Sequence, residues 1–281
     1  MQIMQQKFIR FAGLIVFCLV SIFFIWSWIN EELTGHFSLE NISFTNVPTG
    51  EFLPQTIDVS PILSQTFAYL GKGRQTYVFV SEDQKYVLKF FRTKRLKPAL
   101  WSTEREEKRR LNRIEKLFTG HRVAFLESRE NAGLIYVHLE PTNNLKTKIN
   151  VLDFWGQHRE IDADSTIFVI QKRATITKDI LVELFQKKDI VTAKKRLDNL
   201  VGMISADYQL GLIDGDHNVI YNTGFIGEKP IRIDVGQLRH DDSVRDPREA
   251  KRDLAIIIEK RIGGWLKRHY PSEYLEMQEL K

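Results

Sequence analysis

Residues 70–91, LGKGRQTYVFVSEDQKYVLKFF, constrain the fold more than any other part of the chain. β-branched and aromatic runs at 67–70, 77–81 and 86–91 are separated by Gly71-Lys72-Gly73 and by Glu82-Asp83, a pattern that predicts three short strands in series. Glycines at 71 and 73 permit positive φ and close approach of a ligand, so the backbone N–H groups there are expected to face phosphate oxygens. The two-residue period of a strand puts Val87, Lys89 and Phe91 on one face and Tyr86, Leu88 and Phe90 on the other. Lys89 is therefore a cation inside an apolar run. A buried ammonium without a partner is costly, so Lys89 should meet a carboxylate, a bound anion or both; the alternative is a strand-end lysine whose amine reaches water.

Two later segments add to this pattern. Apolar residues at 197, 200, 201, 204 and 208 predict a helix over 193–210, which runs into GLIDGDHNVIYNTGFI, a loop containing Asp214, Asp216, His217, Asn218 and Asn222. A strand ending in Asp234-Val235-Gly236 follows. Carboxylates and amides at strand ends and in adjoining loops are the hard oxygen donors that Mg²⁺ takes.

With these residues in place, the chain resembles the protein-kinase-like superfamily, nearer its aminoglycoside-phosphotransferase and bacterial branch than the eukaryotic kinases. Gly71-x-Gly73-x-x-Thr76-x-Val78 resembles the glycine-rich loop, and Val87-Leu88-Lys89 the strand carrying the nucleotide lysine. Asp216 falls on the catalytic-loop aspartate, Asn222 near the metal-binding asparagine, and Asp234-Val235-Gly236 on the D-F-G segment. The resemblance implies an α+β, two-lobed fold: an N-lobe of antiparallel sheet plus one helix over 54–171, and a reduced helical C-lobe over 172–281. It implies ATP and Mg²⁺ as cofactors. Gly71 and Gly73 would lie over the phosphates, Lys89 would hold them, and Asp234 and Asn222 would hold the metal. Asp216 would act on the acceptor hydroxyl, and adenine would bond to backbone near Gln171, in the segment resembling the hinge. Arg252-Asp253-Leu254-Ala255 resembles the segment whose aspartate braces the catalytic loop.

The lysine's carboxylate is expected on the helix over 101–118. Leu111, Ile114 and Phe118 define an apolar stripe, and Glu107 lies one turn before Leu111 on it, so Glu107 is the expected partner. Residues 146–161 read as an inserted hairpin of unknown use.

The chain also departs from the pattern. Thr76 replaces the third loop glycine, and Gly215 stands where protein kinases carry the arginine that reads an activation-loop phosphate. Asn222 follows Asp216 by six residues where the family has five, so Asn218 is the alternative metal ligand. Only 45 residues follow Gly236, which leaves about two helices and little platform for a protein substrate. Two functions follow: an ATP/Mg²⁺-dependent phosphotransferase of unknown acceptor, or a pseudokinase that keeps the fold as a membrane-tethered binding or scaffold module.

A second signal lies near the N-terminus. After a basic flank over 1–10, residues 11–29 form a 19-residue stretch without a charge, long enough at about 1.5 Å per residue to cross a bilayer core of about 30 Å. It reads as a single transmembrane helix contacting lipid, followed by a linker over 30–53; a cleaved signal peptide is the rival reading. Lys7 and Arg10 precede the stretch, whereas Glu31 and Glu32 follow it. The positive-inside rule then puts the N-terminus in the cytoplasm and the domain on the other side, at odds with a need for ATP. The one cysteine, Cys18, lies within the apolar stretch, so the domain has no disulfide. Net charge is +5, two of it from Lys7 and Arg10, which gives no reason to expect nucleic acid as a partner. The basic residues at 105, 108, 109, 110 and 113 alternate with glutamates and read as a solvated helix face.

Overall fold

A computed structural model describes residues 2–43, 55, 57–93 and 101–280. The helix α1 (Gln2–Thr34) opens the chain. A short turn α2 (Ser60–Leu63) leads into β1 (Thr66–Lys72), β2 (Thr76–Ser81) and β3 (Tyr86–Phe91). These are the three strands expected in series. Helices α3 (Glu104–Glu127) and α4 (Arg129–Ala132) follow, then β4 (Leu134–His138), the hairpin β5 (Lys148–Leu152) and β6 (His158–Asp162), and β7 (Phe168–Lys172). The second lobe contains β8 (Thr175–Ile176), α5 (Thr177–Gln186), α6 (Ile190–Gln209), β9 (Leu212–Asp214) and α7 (Val219–Asn222). It continues with β10 (Thr223–Ile226), β11 (Lys229–Arg232), β12 (Leu238–His240), α8 (Pro247–Ala255), α9 (Gly263–His269) and α10 (Pro271–Glu279).

The fold is α+β and two-lobed, as expected, with a sheet-and-helix lobe followed by a smaller, mainly helical one. Seven strands form the first sheet in the order β4-β7-β3-β2-β1-β5-β6. Every pairing in it is antiparallel except β1 with β5, where Thr66, Phe67 and Ala68 run parallel to Asn150, Val151 and Leu152. The inserted hairpin is thus an extension of the sheet. Strand β3 is buried on both faces. Phe91 packs toward α3 with Ile114, Leu117 and Phe118, whereas Leu88 and Phe90 join Phe67, Phe79 and Phe168 on the other side. That second face is covered by Ile42, Val59 and Leu63 from the segment before β1. A third core, built on Leu197, Leu200, Ile204 and Trp265, belongs to the helical lobe.

Helix α3 starts at Thr103, whose hydroxyl accepts from the Glu106 N–H while the Glu106 carboxylate accepts from the Thr103 N–H, a reciprocal cap that fixes the first turn. It runs nine residues beyond the expected end at 118. Gly120 is required at its closest approach to the second lobe. A Cβ there would collide with the Val235 carbonyl and the Gly236 backbone.

Helix α1 also differs from expectation. It continues beyond residue 29 to Thr34, and residues 35–43 pack onto the sheet instead of forming a free linker. Residues 44–53 of the expected linker lie outside the described residues. From Gly13 to Thr34, 22 residues are long and apolar enough to cross a membrane, and Leu14, Phe17, Phe23 and Trp28 are all exposed.

Candidate functional site

Between the lobes lies a cleft of about 830 Å³, with Gly71 and Gly73 at its upper edge and Lys89, His121, Asn222 and Asp234 among its inner residues. Strand β3 delivers Lys89 to the cleft, where the side chain is 8% exposed and Nζ donates to the Ile233 carbonyl at 2.5 Å. Burial pulls the Lys89 amine down to about 8, and the nearby Asp234 carboxylate opposes the fall. Lys89 and Asp234 therefore line the same cleft and interact through their charges. Asp234 is oriented by its own backbone, with Oδ1 accepting from the Gly236 N–H at 3.0 Å. Gly236 permits this turn to pass under α3, since a Cβ would come within 2.9 Å of Leu117 Cδ1.

Glu107 does not join this group. Its carboxylate is engaged by the Arg110 guanidinium one turn away, which holds its pKa below the ordinary range, and it does not line the cleft. The apolar stripe explains the error. Leu111 is 40% exposed, whereas Ile114, Leu117, Phe118, Ala124 and Phe125 are buried, so the inward face begins later and rotates away from Glu107. The residue that α3 does bring to the cleft is His121, 5% exposed and unforeseen in the sequence. Burial holds its pKa down, with the Leu117 carbonyl and Asp234 opposing and Lys89 adding to the fall. Its Nδ1 lies 2.8 Å from the Leu117 carbonyl, so in the neutral ring Nδ1 carries the proton and Nε2 is an acceptor. The signal was its spacing with Leu117, Phe118, Ala124 and Phe125, which places a titratable side chain on an apolar stripe.

The glycines also differ from expectation. Neither Gly71 nor Gly73 has positive φ; Gly71 lies within β1, just after a register shift against β2. An added Cβ at Gly71 would meet nothing within 4 Å, and one at Gly73 only Thr76 at ordinary contact distance. Neither backbone torsion nor internal packing calls for glycine at 71.

Gln171 lies in the ladder between β3 and β4, paired with Val87 and Leu134, instead of in an open hinge. Its side-chain amide donates to Ala132 O at 2.5 Å and Arg232 O at 2.8 Å, so it fastens the sheet to the second lobe. It still lines the cleft. The connection to the second lobe starts after it, at Arg173 and Ala174.

The catalytic-loop resemblance falls between β9 and β10. Asp216 is not among the residues lining the cleft, but the Asn222 amide donates to its Oδ2 at 3.0 Å. The Asn222 carbonyl accepts from the N–H groups of Ile233 (2.7 Å) and Asp234 (3.2 Å), so one residue ties the loop to the aspartate. Asn218 sits a turn earlier, its carbonyl accepting from the Asn222 N–H, and does not line the cleft. Of the two asparagines weighed, Asn222 is the one beside Asp234. His217, with φ +42°, reaches Asp253 at 3.1 Å, and the Tyr208 hydroxyl donates to the same carboxylate. Asp253 thus braces the loop from α8. Burial and Asp253 together push the Tyr208 hydroxyl well above its usual range.

Beneath the loop is a buried ionic cluster that sequence patterning did not reveal. Arg232 is 1% exposed; its Nε donates to Asp207 Oδ2 at 2.9 Å and its Nη1 to Asp214 Oδ2 at 3.3 Å, while Nη2 has no partner among the described residues. Asp207 Oδ1 accepts from Ser128 and Asn131, both at 3.0 Å. Burial raises the Asp214 pKa, with Arg232 opposing.

No family model matches the chain, and no curated protein matches it. Among solved structures, the chain is similar to WbdD, described elsewhere as a bifunctional kinase-methyltransferase, at 14% identity and TM-score 0.38, with 66% of this chain and 35% of that one covered. It is similar also to Rv3197 from Mycobacterium tuberculosis, solved with erythromycin, at 14% identity and TM-score 0.35, with 71% and 55% covered. The chain spans less than two thirds of either protein. Likenesses this distant assign no activity.

Proposed function

We propose that the cleft binds a magnesium nucleotide and that the chain is a membrane-anchored, kinase-like phosphotransferase acting on an acceptor yet to be identified. One observation carries this reading: a buried lysine with a depressed pKa and the Asp234 carboxylate line one open cleft, edged by the Gly71–Gly73 hairpin. A structural ion pair has no use for an open cavity beside it, whereas a polyphosphate would supply the missing negative charge. Asp234 and the Asn222 amide oxygen suit Mg²⁺, which takes one or two protein oxygens and completes its shell with phosphate and water. When bound, the ion would neutralise phosphate charge. Lys89 would hold the phosphates, Gly71 and Gly73 would let the backbone lie close to them, and Asp216, positioned by Asn222, would accept the acceptor's proton. Catalysis would consist of placement and charge complementarity.

A second reading, a pseudokinase that serves as a membrane-tethered binding or scaffold module, is favoured by the absence of a helix carboxylate at Lys89 and by the extracytoplasmic orientation that Lys7 and Arg10 suggest. Two measurements separate the readings. Mg·ATP at about 100 times its dissociation constant should stabilise the chain by about 2.7 kcal/mol, chelator should reverse this, and Lys89→Ala should abolish it. No shift at millimolar ATP rules out both nucleotide binding and turnover. Phosphate transfer that is lost in Asp216→Asn while binding survives assigns the enzyme, and binding without transfer in the unaltered chain assigns the pseudokinase.

A further inference from the structure

The β5–β6 hairpin ends in a turn whose shape is set from within. Asp153, 8% exposed, accepts from the N–H groups of Trp155 (3.0 Å) and Gln157 (2.9 Å), and Gly156 takes φ +75°. Held this way, Phe154 and Trp155 project from the tip, 41% and 49% exposed, packed edge-on at 5.0 Å. Phe154 touches the half-buried Tyr69 ring edge-on at 6.0 Å, yet both aromatics of the tip stay largely exposed. The Trp155 ring also stacks on Trp26 of α1, 5.5 Å between centroids and 20° between planes.

Trp26 is three residues from the end of the charge-free run at Ile29, about 5 Å along the helix axis. That is the level where indole rings settle in a bilayer, between headgroups and acyl chains. The hairpin tip is held at this level because the end of α1 is fixed to the sheet. Tyr77 donates to Gly35 O at 2.8 Å, Arg92 donates to Gly35 O at 3.0 Å and to Glu31 at 3.2 Å, and Lys72 donates to Glu31 O. A domain joined to its anchor through these bonds does not swing away from it.

We propose that the β5–β6 turn is a second membrane contact, with Phe154 and Trp155 entering the interfacial layer of the leaflet that surrounds the end of α1. The occupant is lipid, because the tip is continuous with the exposed, apolar surface of α1 through the Trp155–Trp26 stack. The contact rests on reading α1 as a membrane span. Its consequence is a fixed orientation: the sheet edge faces the bilayer, and the cleft keeps a set height above it.

The test uses the full chain in phosphatidylcholine nanodiscs with an environment-sensitive fluorophore at one cysteine. Labelling native Cys18 reports on the span. Labelling Phe154→Cys in a Cys18→Ser background, with Trp155 retained, reports on the turn, and labelling Glu228→Cys in the same background is the aqueous reference. The expected result is a label at 18 quenched by nitroxide in the acyl chains, and a label at 154 that is blue-shifted, quenched most by headgroup nitroxide and shielded from iodide relative to 228. Labelling Trp155→Cys should repeat the pattern of 154. A label at 154 as open to iodide as one at 228, with 18 still buried in lipid, overturns the hairpin contact and leaves the anchor standing. A label at 18 open to iodide overturns the anchor and the hairpin contact with it.

Discussion

Two buried cations, Lys89 on β3 and Arg232 on β11, sit where the sheet meets the second lobe, and they are satisfied very differently. Arg232 has two carboxylates, and one of these, Asp207, is itself held by Ser128 and Asn131. Lys89 has one backbone carbonyl and the field of Asp234, beside an open cleft. The first arrangement is closed: nearly every polar atom has its partner within the protein. The second leaves an ammonium under-compensated, which the fold alone has no reason to maintain. The difference shows how a structural ion pair and a candidate ligand site can be told apart without a ligand.

The largest effect should come from opening the closed cluster. Asp207→Ala leaves Arg232 buried with only the longer hydrogen bond to Asp214 and strands Ser128 and Asn131, at a cost of about 3–5 kcal/mol in denaturant unfolding. A loss below about 1 kcal/mol would mean that water reaches Arg232 and that the contrast with Lys89 is false.

Next in size is a pH dependence that belongs to Lys89. A pKa of about 8 in the native chain against 10.5 when unfolded corresponds to on the order of 3 kcal/mol. Below pH 8 both states carry the proton, so the native state bears the whole cost of burying the ammonium. Between 8 and 10.5 the unfolded chain binds more protons than the native one, so stability rises with pH, and above 10.5 the cost is gone. His121 shares the site, but burial lowers its pKa, so it titrates below this window. The signature is the unfolding free energy of the unaltered chain relative to Lys89→Met across pH 8–10.5. A flat difference would place Lys89 in water.

The same variant sharpens the comparison at neutral pH. Lys89→Met keeps the side-chain length and removes the buried charge, so the nucleotide-free chain should gain about 1–2 kcal/mol, less than the full burial cost because Asp234 loses its counter-charge. Arg232→Met, which strands two carboxylates, should lose stability. Equal signs for the two would show that the cations are equivalent.

What the sequence made legible follows the same divide. Period-two alternation in β3 correctly put Lys89 on the face shared with Phe91, because side chains two apart in a strand point to the same side. The helical spacing of Leu197, Leu200 and Ile204 likewise located α6. The other face of the sheet was not legible, since Ile42, Val59 and Leu63 reach it from a segment with no periodicity of its own. Nor was the partner for Arg232, because Asp207 is 25 positions away and nothing in local pattern links a helix residue to a strand residue. The glycines were read for torsional freedom that they do not use.

The smallest expected effect tests the one pairing that sequence spacing placed wrongly. Extending the stripe of Ile114 and Phe118 back through Leu111 assigns Glu107 to Lys89, but Leu111 is exposed, so the stripe does not reach that turn. Glu107 pairs instead with Arg110 one turn on, a partly exposed i,i+3 contact of the kind that adds little. Glu107→Ala should therefore leave the melting temperature within experimental error and the Mg·ATP-induced shift at its original size, whereas His121→Ala, emptying a buried position between Phe91 and the cleft, should reduce both. Loss of the nucleotide-induced shift in Glu107→Ala would mean that α3 rotates on binding to bring that carboxylate to Lys89, and that the arrangement described here is the open member of a pair.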